Sequence, residues 1–329
     1  MLAFDVITAI DATPESPARV RAPRRAPLRI AAVQLPWQAD PAGHRAALGH
    51  GVALAAARGA RLVCLPELTL SPYFAITAAD RGGAGAALAE DLEQGPTRAL
   101  AKELAAAHAI HVHASLYERA DADDGLGFNT AIVVAPGGEL AARTRKLHIP
   151  VTEGYFEDTY FRPGPAGEEA FPIVALEGAR FGFPTCWDQW FPELARAYSL
   201  TGAEILVYPT AIGSEPDHPE FDTQPLWEQV IVANGITSGT FMVAVNRTGT
   251  ERAPDGTGAI TFYGSSFISD PYGRVLVRAP RDRPAVIVAD LDVDQREDWL
   301  TLFPFLTTRR PDAYAGLADP ALTPERPVP

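Results

Sequence analysis

Cys186 has the setting in this chain that most suggests chemistry. It ends the apolar run Phe181-Gly182-Phe183-Pro184-Thr185. It precedes Trp187-Asp188-Gln189-Trp190-Phe191-Pro192-Glu193, which reads as the opening of a helix. A thiol at a strand-to-helix turn lies near helix N–H groups, whose field favours the thiolate over a resting pKa of about 8.5. The same turn can aim N–H groups at a developing oxyanion. The bland alternative is a small core residue. Cys64, enclosed by Leu62-Val63 and Leu65, reads that way.

Two further residues stand at the ends of apolar runs. Glu67 follows Leu62-Val63-Cys64-Leu65-Pro66. As a base it would take a thiol proton and later return it to a leaving amine; otherwise it is a surface carboxylate. Lys146 closes Arg143-Thr144-Arg145 before Leu147-His148-Ile149-Pro150. As an ammonium it would stabilise an oxyanion; otherwise it is a solvated lysine. A third run, Ile205 to Pro209, stops at Thr210. Ligands collect at the C-terminal ends of strands in α/β proteins. Glu67, Cys186 and Thr210 are therefore expected to line one crevice. Histidine offers a rival, since His111 and His113 share a strand face with His108 nearby, and paired histidines can hold metal. Ordinary strand-face histidines are the simpler reading, and no metal is expected. A cysteine–histidine pair would need His148, which nothing in the sequence ties to Cys186.

The elements that must position these residues alternate. Strands are expected at 28–34, 61–65, 110–117, 180–185, 204–208 and 241–246. Helices are expected at 44–58, within 85–107, and at 191–201 and 223–239. Such alternation predicts an α/β fold. A hairpin of 130–135 and 140–146 around Pro136-Gly137-Gly138 makes the sheets mixed. Segments 264–269, 274–278 and 285–290 form a β-rich end. Residues 12–27 are rich in Pro, Ala and Arg without a hydrophobic period, so 1–27 reads as a flexible arm. The Pro-rich tail 316–329 forms no regular helix. One domain spans 28–315.

Composition bounds the function. The chain has 329 residues, 47% hydrophobic and 21% charged, which is globular. Its formal charge is −13, and its one basic run, Arg19 to Arg25, lies in the arm. Nucleic acid is therefore disfavoured as a partner. The first residues lack a basic leader and Asp5 interrupts them, so no signal peptide is expected. No apolar stretch of ~18 residues exists, so no membrane partner is expected. The expected location is cytoplasmic.

Three segments occur in order: Leu65-Pro66-Glu67-Leu68, Arg145-Lys146-Leu147-His148-Ile149-Pro150, and Cys186 to Glu193. Their key residues stand 79 and 40 positions apart. Together they resemble the three catalytic motifs of the nitrilase superfamily. The similarity runs from about Leu28 to Tyr314. It includes Tyr208 to Pro216, Phe262 to Ile268, and Arg309-Arg310-Pro311-Asp312-Ala313-Tyr314. Within the superfamily the segments look most like those of the N-carbamoylputrescine amidohydrolases. The resemblance implies a four-layer α-β-β-α sandwich with mixed sheets, paired into a homodimer. It implies Glu67 as base, Lys146 as oxyanion donor and Cys186 as nucleophile, with the Trp187 N–H completing the oxyanion hole. It maps a second glutamate onto Glu157 and implies no cofactor. The expected reaction releases ammonia, CO₂ and amine from an N-carbamoyl amine through a thioester-type intermediate. An ω-amidase or aliphatic amidase, an N-carbamoyl amino acid hydrolase, an acyltransferase and an inactive binding protein share the scaffold. A cationic substrate tail needs carboxylates, and the candidates are Glu153, Asp188, Glu193 and Glu215, with Thr210 beside them. The stretch Val151-Thr152-Glu153-Gly154-Tyr155 departs from the Asp-Gly-Pro-Gly-Tyr common in the family.

Overall fold

A computed structural model describes residues 2–11, 13–78, 87–253, 256 and 258–318. Two large sheets carry the fold. The first has the order β1 (Asp5–Ala9), β17 (Ala285–Leu291), β2 (Leu28–Gln34), β3 (Leu62–Cys64), β4 (His111–Glu118), β5 (Phe128–Val134) and β6 (Leu140–Arg145). The second has the order β16 (Val275–Arg278), β15 (Phe267–Ser269), β12 (Phe241–Val245), β11 (Ile205–Pro209), β10 (Ala179–Gly182) and β9 (Ile173–Leu176). Both are mixed: β2, β3 and β4 run parallel, as do β10, β11 and β12, with antiparallel neighbours outside them. Two short hairpins, β7 (Val151–Thr152) with β8 (Tyr155–Phe156) and β13 (Thr248–Arg252) with β14 (Ala259–Tyr263), stand apart from the sheets.

The period-2 alternation of the strands builds the layers. Along β2 and β17, Ile30, Ala32, Ile287 and Ala289 face the second sheet, where Phe181, Val207 and Val243 meet them. The alternate residues Ala31, Val33, Val286 and Val288 face α1 (Pro41–Ala56) and α2 (Pro96–His108). On the far side Leu206, Tyr208 and Met242 pack under α3 (Pro192–Thr201) and α4 (Gln224–Ser238). The order is helix, sheet, sheet, helix, as the four-layer expectation requires. A further helix, α5, spans Gln295–Leu302.

The arm departs from expectation. It is not a free segment: β1 pairs in parallel with β17, from Asp5 opposite Ala285 to Ala9 opposite Ala289. Beyond it, Arg19 meets Asp292 at 2.6 Å and Asp298 at 2.8 Å. Arg25 meets Asp294 at 2.7 Å and Glu204 at 3.1 Å. The partners lie far along the chain, so local composition carries no sign of them. At the other end, Pro311–Ala318 forms a 3-10 segment. The rest of the expected tail, 319–329, lies outside the described residues.

His113 sits fully buried between the sheets, its ring 5.2 Å from that of Phe183 and nearly parallel to it. Neither ring nitrogen has a hydrogen-bond partner among the described residues. His111, on the same face, meets Glu177 at 3.3 Å. Burial pushes His113 down to about 3. In the unfolded chain the ring takes a proton near 6.5. Between these values the unfolded chain binds the extra proton, so stability falls as pH drops from 6.5 towards 3. Above 6.5 the residue adds no pH dependence. We expect His113→Phe to flatten this acid limb, removing a slope of up to about 1.4 kcal/mol per pH unit. Urea unfolding of both proteins at pH 7, 6, 5 and 4 measures it. Parallel curves would show that the ring is not buried neutral.

Candidate active site

Three strand ends and the turns that follow them bring the expected residues together. Glu67 stands just beyond β3 and Lys146 directly follows β6. The Lys146 N–H donates to the Asn129 carbonyl at 2.8 Å, which continues the β5–β6 ladder into the site. Cys186 opens a five-residue 3-10 turn, Cys186–Trp190, beyond β10. Its φ is +43°, a left-handed conformation that costs a non-glycine residue energy and needs surrounding structure to hold it.

Asp188 supplies that support. Its carboxylate accepts from the Thr185 N–H at 3.1 Å, the His148 N–H at 2.9 Å and His148 Nδ1 at 2.7 Å. The Leu147 N–H adds a longer bond of 3.4 Å. One carboxylate thus ties the turn holding Cys186 to the segment after Lys146. The His148 ring also stacks on Phe191, 3.6 Å between centroids.

Lys146 Nζ lies 2.7 Å from Glu157 Oε2 and 3.1 Å from Glu67 Oε1. All three side chains are withdrawn from solvent. Asn129 Nδ2 donates to the same Glu67 oxygen at 2.7 Å, and Tyr73 OH donates to Glu157 Oε1 at 2.8 Å. Glu67 Oε2 is buried with no hydrogen-bond partner among the described residues.

The protonation pattern follows from charge. Burial opposes the Lys146 ammonium, but Glu157 and Glu67 more than compensate and hold it well above its ordinary range. Burial pushes Glu157 up, against the pull of Lys146. Burial and the Glu67 charge push the Cys186 thiol far up, against Lys146 and a hydrogen bond from the Ala211 backbone. The expectation that a helix field favours the thiolate is therefore overturned. The turn at Cys186 is a short 3-10 segment, and desolvation beside two carboxylates outweighs it. At rest the thiol keeps its proton.

A cavity of about 280 Å³ opens onto Cys186 and Glu157. Tyr155, Trp187, Trp190, Phe221 and Leu226 wall it, with Glu215 on its rim. Of the five residues expected to bind substrate, Glu215 alone lines the cavity. Glu153 is exposed at the tip of the β7–β8 hairpin, and Glu193 is exposed in the first turn of α3. Asp188 is 1% exposed and engaged internally. Thr210 is buried, its N–H donating to the Val245 carbonyl at 2.8 Å and its hydroxyl to the Tyr208 carbonyl at 3.1 Å. It stays with β11 and does not reach the crevice.

The family model described as carbon-nitrogen hydrolase matches residues 29–300. The chain belongs to the carbon–nitrogen hydrolase family. It is an enzyme of the amidohydrolase type, on the nitrilase fold. A citrullinase from Francisella tularensis is 35% identical over 287 residues, covering 87% of this chain and 96% of that one. An N-carbamoylputrescine amidase from Arabidopsis thaliana is 35% identical over 296 residues, covering 89% and 96%. The crystal structure of a carbon–nitrogen hydrolase from Helicobacter pylori superposes with a TM-score of 0.78 at 32% identity, covering 88% and 98%.

For this hydrolase, sequence reasoning missed Asn129, Tyr73, Tyr155 and Arg247. Arg247 follows an apolar run, the signal that pointed to Glu67, whereas Asn129 stands at the start of one. The tyrosines carry no such sign, because a buried tyrosine reads as core.

Cys64 is fully buried, and desolvation alone pushes its thiol far up. Cys186 faces the cavity. We expect a small neutral haloacetamide to add once, on Cys186, by intact mass and peptide mapping. Modification of Cys64 in folded protein would reverse the assignment.

Proposed function

We propose that this enzyme hydrolyses the ureido carbon–nitrogen bond of an N-carbamoyl amine with a cationic tail. Glu67 Oε2 takes the Cys186 proton as the sulfur attacks the carbonyl carbon. The oxygen becomes an oxyanion beside the Lys146 ammonium and the Trp187 N–H. Glu67 passes the proton to the departing nitrogen, and ammonia leaves. A water then gives its proton to Glu67 and attacks the thiocarbamate carbon. The sulfur leaves, recovering its proton from Glu67. The freed carbamate decays to amine and CO₂. Glu157, with Tyr73, positions Lys146.

The observation that carries the tail preference is the cavity's charge. Glu215 is the acid beyond the catalytic set that lines it, and no Arg or Lys stands among the described lining residues. Trp187, Trp190, Tyr155 and Phe221 add aromatic faces, which attract cations. The citrullinase relative supports a second reading, citrulline. Citrulline carries an α-carboxylate as well as an amine, and a buried carboxylate without a cationic partner is costly. The lining therefore favours N-carbamoylputrescine over citrulline and N-carbamoyl-β-alanine.

We also infer a homodimer. Leu200 at the end of α3 and Leu302 and Phe303 at the end of α5 are exposed. The two helices are joined where Arg296 Nη2 donates to the Ser199 carbonyl at 3.0 Å. Light scattering at micromolar concentration tests this, and a monomer would refute it.

Ammonia release compared across the three substrates tests the tail. We expect the highest kcat/KM for N-carbamoylputrescine, with Glu215→Gln raising its KM and sparing kcat. Burial pushes the Glu215 carboxyl up, against hydrogen bonding from Thr223 and the charge of His218. Only the ionised form attracts a cation, so KM for the cationic substrate should rise as pH falls. A preference for N-carbamoyl-β-alanine would overturn the reading, and a preference for citrulline would transfer it to the second.

A further inference from the structure

Arg247 lies between β12 and β13, 3% exposed, and lines no part of the cavity about Cys186. Its guanidinium is nevertheless wrapped around the Glu67 turn. Nη2 donates to the carbonyls of Glu67 at 2.9 Å, Leu68 at 2.7 Å and Ser71 at 2.7 Å. Nε donates to the Glu67 carbonyl at 3.2 Å. Nη1 meets Glu251 Oε1 at 2.6 Å, itself 8% exposed. Leu68, inside this grip, has φ +49°, a left-handed conformation that leucine adopts at a cost. Something must hold it there, and three carbonyls converging on one guanidinium do so.

The grip closes a ring around the reacting lysine. Glu251 Oε2 accepts from the Tyr73 N–H at 2.7 Å. Tyr73 OH donates to Glu157, and Glu157 holds Lys146. Lys146 returns to Glu67. Every carboxylate in the ring is thus held by a residue that another carboxylate holds. Glu67 enters it twice, through its carbonyl from Arg247 and through Oε1 from Lys146. Its free oxygen, Oε2, is left with one orientation.

We propose that Arg247, paired with Glu251, is the positioning residue that sets the reach of Glu67 to Cys186. The proposal rests on the reading of Glu67 as base. A planar fork reaching several carbonyls is what Arg supplies and Lys lacks, since an ammonium is a point donor on a flexible stem. Loss of the fork lets the strained turn relax and moves Oε2. A misplacement of about 1 Å in a reacting group costs about 10²-fold in rate.

The test is a double-mutant cycle read by chloroacetamide alkylation of Cys186 and by kcat and KM for the preferred N-carbamoyl substrate. The proteins are the full chain, Arg247→Met, Glu67→Gln and the double variant. We expect Arg247→Met to slow alkylation and kcat about 10²-fold, with KM within about threefold, since it removes no substrate contact. On the Glu67→Gln background the same change should add nothing, because Arg247 then has no base to place. Arg247→Lys keeps a cation beside Glu251 and guards against misfolding of the methionine variant. It should fold and still lose kcat. A wild-type rate in either folded Arg247 variant would overturn the proposal while Glu67→Gln remains slow. Full additivity in the cycle would also overturn it, showing a general effect on the site. Unchanged alkylation and kcat in Glu67→Gln would instead sink the base reading itself.

Discussion

The structure depends on one buried ammonium held between two carboxylates. Lys146, Glu67 and Glu157 are all withdrawn from water. Burying one such charge alone costs several kcal/mol, and an opposite charge with further hydrogen bonds offsets that cost. That explains the surrounding hydrogen bonds: Asn129 on Glu67, and Tyr73 on Glu157. Removing either glutamate leaves Lys146 short of a partner. The chemistry and the stability of this region therefore rest on the same contacts. A resting thiolate would add a negative charge beside two carboxylates in a dry site, so the proton stays on sulfur. In the proposed reaction, the negative charge moves from the Glu67 carboxylate to the oxyanion as Glu67 takes the proton. The net charge of the site does not change in that step, and Lys146 stays beside both carboxylates. Fixed charges that need no reorganisation are the most effective form of electrostatic catalysis.

Such a site demands placement finer than loops give alone, and the two sheets provide it. The first sheet delivers Glu67 from β3 and Lys146 from β6, with Asn129 from β5 between them. The second delivers Cys186 from β10. The sheets meet face to face through Ile30, Ile287, Phe181 and Val243. Their relative position would still leave the strand ends free to shift. Asp188 removes that freedom by accepting N–H groups from both sides, Thr185 from one sheet and His148 from the other. A residue that resembles a substrate carboxylate in sequence is thus spent on joining the layers.

How much of this was legible follows from the range of each interaction. Strand ends such as Leu62 to Glu67 and Phe181 to Cys186 show a local change from apolar to polar, so the candidate site residues stood out. Two of the strand boundaries, Ile205–Pro209 and Phe241–Val245, were close to expectation for the same reason. The helix sought within 85–107 begins at Pro96, because Gly95 and Pro96 end the preceding turn. What failed were features made by distant partners. The strand Asp5–Ala9 exists because β17 offers an edge some 280 residues later in the chain. Arg19 and Arg25 read as a basic run in a flexible arm, whereas Asp292, Asp294 and Glu204 hold them. Likewise Glu153 and Glu193 are near the motifs in sequence, but a hairpin tip and a helix start turn them outward.

The same difference in range separates reaction from substrate. The groups that move charge sit on strand ends, where the sheet register permits little change. The cavity walls come from connections: Tyr155 from a two-residue strand, Glu215 and Phe221 from the stretch between β11 and α4, Leu226 from the first turn of α4. Loops accept substitution and insertion more readily than the elements they join. The cavity lining can therefore change while the groups on the strand ends stay in place. The proposed preference rests on electrostatics in a space of about 280 Å³ lined by Glu157, Glu215 and four aromatic faces. A zwitterionic tail would bring its own carboxylate into that space beside Glu215 and Glu157. Like charges brought together out of water cost several kcal/mol. A tail that is only cationic meets no such penalty, and it neutralises a charge the empty cavity already bears.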